Sequence, residues 1–199
     1  MRARIRIAGP VTFLLMIVLL PAGGAHALQD AVSDKSQKED AASFKEFLDR
    51  VQVYVKLHKT IEATLPPLKP KEELPEIITA HEQALARKLR EARPQAKPGD
   101  IFTRATREAF RHAIRSTFQG PEANHAHATL QQGDPVKEVH LKVNEVYPDG
   151  VPHTTVPPTL LQKLPKLPEE LEYRLVGRDL VLLDVRANLV VDLLREVLP

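Results

Sequence analysis

The chain has 199 residues, with 28 Lys and Arg against 26 Asp and Glu, 17 prolines and no cysteine. The lack of thiols excludes disulfides, thiolate metal ligation, cysteine nucleophiles and lipid attachment at a cleavage-site cysteine. The formal charge of +2 depends on Arg2, Arg4 and Arg6, so a basic surface seeking nucleic acid is not indicated once those residues are set aside.

Residues 1–27 carry the parts of a secretory signal peptide: a basic start at Arg2, Arg4 and Arg6, an apolar run from Val11 to Leu20, and the small-x-small pattern Ala25-His26-Ala27. Cleavage after Ala27 is expected. Pro21, Gly23 and Gly24 end the apolar run well short of the ~20 residues a membrane span needs, so the processed chain is not expected to span a bilayer. Losing the leader leaves 25 basic against 26 acidic residues in a chain delivered to the periplasm or the exterior. At that length one core buries close to 70% of the surface the unfolded chain exposes.

Residues 28–42 are polar and charged and read as a flexible lead-in to a single domain over 43–199. Ser43 and Glu46 form a capping box, after which Phe44, Phe47, Leu48, Val51, Tyr54, Val55, His58, Ile61 and Leu65 keep helical spacing. Pro66, Pro67 and Pro70 stop this first helix. A second runs from about Leu74-Pro75 through Ile77, Ile78, His81, Leu85 and Leu89 to Ala92. A third runs from Thr103 to Phe118, burying Phe102, Ala109, Phe110, Ala113, Ile114 and Phe118, and closes the helical part at 43–120. Residues 121–134 read as a loop or a weak helical turn. In 135–199 the spacing predicts a half-buried strand at Lys137–Asn144, a turn at Tyr147–Gly150, and a Pro-rich linker with one helical turn from Pro158 to Leu164.

Leu171–Leu194 specifies its own pairing. A two-residue type II′ loop at Gly177-Arg178 sets Leu175 opposite Leu180 and Tyr173 opposite Leu182. A loop at Arg186-Ala187-Asn188, with Asn188 left-handed, sets Val185 opposite Leu189, Leu183 opposite Val191 and Val181 opposite Leu193. The middle strand is then apolar on both sides and needs cover that the helices supply. The expected class is α+β: three N-terminal amphipathic helices packed with a small C-terminal antiparallel meander.

Chemistry is sparse. His125 and His127, spaced by one residue, would share a side of an extended segment near Glu122 and could ligate a metal ion, the only cofactor the sequence suggests; a surface loop is the plainer alternative. His58 and His81 lie on the apolar stripes of consecutive helices, either facing each other or hydrogen-bonded to backbone or Tyr54. Arg104, Arg107, Arg111 and Arg115 form a cationic stripe on the third helix, a docking face for an envelope protein or anionic ligand, or a solvated face paired with Glu108. There is no Gly-x-Ser-x-Gly elbow and no phosphate-binding glycine loop. These features favour a non-enzymatic exported binding module. Envelope metal handling through the His-x-His pair and a hydrolase without a recognisable motif are the alternatives.

The segments 44–68, 99–121 and 155–192 resemble a family of exported bacterial proteins of unassigned function. Separately, Gly177, Asp179, Val181, Leu182 and Leu189–Asp192 are similar to the closing hairpin of RcnB-type periplasmic proteins, which are associated with nickel and cobalt homeostasis. Tyr173 lies closer to Gly177 than in that pattern and Asn188 stands where a glycine is usual, so its metal chemistry is not carried over.

Overall fold

The computed structural model describes residues 23–68, 74–121, 123–131, 139–152 and 154–198, with side chains from 34 onward. The basic and apolar parts of the leader therefore lie outside the described residues. By its contacts the chain divides into Met1–Ser36 and Gln37–Pro199; of the first unit the described stretch, from Gly23, is helical.

The class is α+β. The elements run α1 (Gly23–Glu62), α2 (Pro75–Ala92), α3 (Arg104–Phe118), α4 (Ala123–Gln131), α5 (Pro158–Leu161), β1 (Leu171–Val176), β2 (Asp179–Asp184) and β3 (Leu189–Leu194). The first correction concerns α1. Residues 28–42, expected to be a flexible lead-in, are helical, and Ser43 sits inside the helix instead of capping it. The Glu, Gln and Lys that help make this stretch polar, like the Ala among them, are good helix formers, and a helix nucleated by the packed part propagates through them at little cost. Glu46 leaves its capping role and accepts from Arg50 Nε and Thr103 Oγ1.

The three strands form an antiparallel sheet in the order β1-β2-β3. Leu175 pairs with Leu180 and Tyr173 with Leu182, as the Gly177 turn requires. Gly177 has φ +58° and Arg178 is not among the positive-φ residues, the signature of a type II′ loop. The second connection departs from expectation. Asp184, not Val185, pairs with Leu189, and Leu183 pairs with Val190. A bulge between Leu182 and Leu183 then absorbs Val191 and restores the expected pairing of Val181 with Leu193. Asn188 is left-handed as predicted, at φ +46°.

Both faces of the sheet are covered. On one, Tyr173, Leu175, Leu180, Leu182, Val191 and Leu194 pack with Phe47, Val51 and Tyr54 of α1 and Phe110, Ile114 and Phe118 of α3. Phe47, Phe102 and Phe110 form an aromatic knot, each ring centroid 4.8 to 5.2 Å from the others. On the other face, Val176, Val181, Leu183, Val190 and Leu193 meet Leu141, Val143 and Tyr147. A third cluster joins Leu85, Ala86 and Leu89 of α2 to Ala187 and Leu189. The Pro-rich linker contributes Val156, Leu160 and Leu164 to the main core.

Two further expectations are corrected. Of the strand predicted at 137–144, residues 137 and 138 lie outside the described residues and the rest is not a strand. Its alternation does bury Leu141 and Val143 while exposing His140 and Lys142. Asn144, left-handed at φ +65°, breaks the extended path, leaving only isolated bonds to β3 such as Asn144 N to Val190 O at 2.7 Å. The region 121–134 forms a helix, α4, over Ala123–Gln131, held by buried Ala126; residues 132–134 lie outside the described residues.

Candidate functional site

The sheet and α1 meet at a buried acid. Asp184 ends β2 and is fully enclosed. Its Oδ1 accepts from the backbone N–H groups of Arg186 and Ala187, both at 3.0 Å, which shapes the loop into β3. Its Oδ2 accepts from the Tyr54 hydroxyl and from His58 Nδ1, both at 2.6 Å. Tyr54 and His58 lie four residues apart on α1, so helical pitch alone presents both to one carboxylate. Burial, reinforced by the charge of Asp184 and its hydrogen bond, pushes the Tyr54 phenol well above its ordinary range, which makes it a permanent donor.

One turn further along α1 stands Glu62. His58 Nε2 lies 3.4 Å from Glu62 Oε2 and has no hydrogen-bond partner, while Glu62 Oε1 accepts from Arg186 Nη1 at 2.7 Å. Beside them Lys59 Nζ lies 2.9 Å from Oε1 of Glu170, the residue before β1. Burial alone would lower the His58 pKa. The hydrogen bond and charge of Asp184, with the charges of Glu62 and Glu170, override it and hold the imidazole above its ordinary value. Burial would raise Glu170, and the Lys59 ammonium overrides it and holds this carboxyl below its usual range.

This cluster forms the back of a cleft of about 760 Å³ between the C-terminal end of α1 and α2. Leu65, Pro67, Leu68, Ile78 and Val185 supply apolar wall, and Lys59, Glu62, His81, Glu82 and Arg186 supply polar wall. The fixed cations Lys59 and Arg186 face Glu62 and Glu82, with Glu170 and Asp184 behind them. The C-terminus of α1 adds the negative end of its dipole. The direction in which each neighbouring group's pKa is displaced agrees with a negative field. Arg186 is raised, chiefly by its hydrogen bond to Glu62, and Lys59 by its bond to Glu170. Glu82 is raised by burial first and then by the charge of Asp149, against a lowering bond from Asn188.

Carboxylate, imidazole and a second carboxylate in line resemble the support of a general base. Here Nε2 is enclosed and faces Glu62, with no hydroxyl nucleophile in contact among the described residues. Ser116, the one serine outside the lead-in and the supposed cap, donates to Ala113 O and accepts from Lys163 Nζ at 3.0 Å on another part of the surface. The arrangement holds charge and shapes a pocket.

The metal and docking residues singled out from sequence lie elsewhere. His125 and His127 sit on α4, where residues two apart diverge by roughly 200°, so the shared side that an extended segment would give them is lost. His127 packs edge-on against Phe118, centroids 5.3 Å apart, and Glu122 is outside the described residues. Among the described residues no group of three or more His, Asp or Glu could hold a metal ion. Arg104, Arg107, Arg111 and Arg115 do keep to one face of α3. Arg111 pairs with Glu108 at 3.3 Å, and Arg107 is half-buried with its Nε enclosed. Of the histidines on the apolar stripes, His58 went inward to Tyr54's partner and His81 lines the cleft. The signal that marks the site in sequence is an acid inside an apolar strand, Asp184 after LVLL, opposite a helix carrying Tyr54 and His58 four apart.

Comparison with family models, curated proteins and solved structures returned no match. Among the described residues no helix is long and apolar enough to cross a membrane.

Proposed function

We propose that the protein is an exported, non-enzymatic binding module and that the cleft between α1 and α2 receives a small ligand carrying a positive group on an apolar body. The observation that carries this reading is the composition of one cavity: an aliphatic wall of Leu65, Ile78 and Val185 beside a polar wall whose two cations are already paired, Lys59 with Glu170 and Arg186 with Glu62, and to which Glu82 adds a further carboxylate. A volume of about 760 Å³ falls in the range of small-molecule sites, which are mostly apolar with a few oriented polar groups. Export rests on the leader pattern of residues 1–27.

Isothermal titration of the purified protein with hexylamine, hexanoate and hexanol tests the ligand class. Hexylamine is expected to bind, and Ile78→Lys, which puts a cation on the apolar wall, to abolish binding while the fold persists by circular dichroism. Equal or absent heats for the three probes would remove the reading. Export is tested by N-terminal sequencing of protein recovered outside the cytoplasm, with Leu28 expected first.

A further inference from the structure

We infer that His58 and Glu62 form a proton-controlled latch on this cleft: with a proton on His58 Nε2, Glu62 is held back against the imidazole and Arg186, and without it the Glu62 carboxylate is released to a cation in the cleft. The ligand half of this inference rests on the proposed function; the latch itself does not.

The geometry fixes which nitrogen titrates. Asp184 Oδ2 receives both the Tyr54 hydroxyl and His58 Nδ1 at 2.6 Å, and Oδ1 is occupied by two backbone N–H groups. A carboxylate so surrounded is an acceptor only, so Nδ1 keeps its proton and Nε2 is the nitrogen that changes state. Nε2 is enclosed without a hydrogen-bond partner and stands 3.4 Å from Glu62 Oε2. Protonated, it meets that oxygen in a charge-assisted contact that a small movement turns into a hydrogen bond. Neutral, its lone pair faces a carboxylate oxygen, and the contact becomes repulsive.

The effect has a route to the cleft because the other oxygen of Glu62 holds Arg186 Nη1 at 2.7 Å, and both residues line the cavity. His58 is fully enclosed, whereas the side chains of Glu62 and Arg186 keep 24% and 49% of their exposure, so Glu62 is the member free to move. The other charged or titratable groups around the imidazole are Tyr54 and Lys59 on α1, Arg93 over the Tyr54 ring, Glu170 before β1 and Asp184 on β2. Tyr54 holds its proton and Lys59 its charge, Asp184 is saturated with donors, and Glu170 is engaged by Lys59. His81 and Glu82 face the cleft from α2. Because linkage is reciprocal, a cation that takes Glu62 must lower the affinity of His58 for its proton.

The test uses the purified protein labelled at histidine ¹³Cε1, with His58 assigned by loss of its signal in His58→Gln. Without ligand, the His58 midpoint is expected above the ordinary histidine value and about one pH unit lower in Glu62→Gln, with the Arg186 Nε–H resonance moving at the same midpoint in the wild type. An unchanged His58 midpoint in Glu62→Gln, or an Arg186 signal indifferent to it, overturns the latch. With hexylamine, affinity is expected to rise roughly fivefold to tenfold as pH passes the His58 midpoint and to lose that dependence in Glu62→Gln. Binding that is flat with pH in the wild type overturns the coupling. No binding at any pH counts against the cleft's ligand class, and the latch is then decided by the resonances alone.

Discussion

Two aspartates in strands show how a single carboxylate can organise backbone it does not belong to. Asp192 of β3 is fully buried and accepts from the N–H groups of Gly99, Ile101, Phe102 and Leu193 at 2.7 to 3.0 Å. It thereby ties the turn ahead of α3 to the sheet. Asp192→Ala leaves those donors buried and unsatisfied, and a loss of about 3 to 5 kcal/mol is expected in urea unfolding, the cost of breaking a buried charged network. Asp184 does the same for the β2–β3 loop and adds the pH dependence. The folded pKa of His58 lies above its unfolded value, so its stabilising contribution is complete below about pH 6.5 and is lost as pH rises through the folded value. The melting temperature is expected to fall over that interval, and to become flat there in His58→Gln; a wild-type curve that rises instead would contradict the assignment.

At the scale of elements, ends and connections carry more information than interiors. α3 starts at Thr103, whose side chain accepts from Thr106 N at 3.3 Å, and Thr103→Ala is expected to cost about 1 kcal/mol by thermal unfolding. α2 finishes against Asn144, whose side-chain amide donates to Arg93 O at 2.9 Å, so a residue that breaks one element caps another. Gly177 has open space where a Cβ would go, but its φ of +58° is left-handed. Gly177→Ala is therefore expected to cost about 1 kcal/mol from backbone conformation and nothing from packing, read as a lowered urea midpoint with an unchanged slope. The β1–β2 register was legible in sequence because a two-residue loop leaves one pairing that keeps Leu175, Leu180, Tyr173 and Leu182 on one face. The β2–β3 register was only partly legible: one extra residue at the bulge moves Val191 to the helix side and leaves Val190 beside Leu183, and no local pattern marks where the ladder yields.

In the unit Gln37–Pro199, β2 is the shared wall of two cores: Leu182 belongs to the helix side and Leu183 to the side covered by Leu141, Val143 and Tyr147. Leu182→Ala and Leu183→Ala are each expected to lower stability by about 2 to 5 kcal/mol. Each is also expected to keep one transition that is coincident by circular dichroism and tyrosine fluorescence, because neither cluster survives without the strand between them. Separate transitions for the two probes would show that the cores unfold independently.

What the amino-acid order settled by itself was whatever depends on neighbours in the chain: the apolar stripes of the helices, their proline and threonine boundaries, the hairpin at Gly177 and the left-handed Asn188. Tertiary structure decided that Leu141 and Val143 are buried without forming a strand, whereas the helix over residues 28–42 rests on local helix formers that their polarity concealed, and His125 and His127 part company because 123–131 is helical. Tertiary structure also decided that Tyr54, His58, Glu62, Glu170, Asp184 and Arg186, from three separate stretches of chain, gather behind and beside one cleft. The physical reason is the same throughout. Hydrophobic periodicity and turn chemistry act over a few residues and leave a trace in sequence, whereas the partner of a buried charge is fixed only when distant segments are brought together and every polar group taken out of water must find its match.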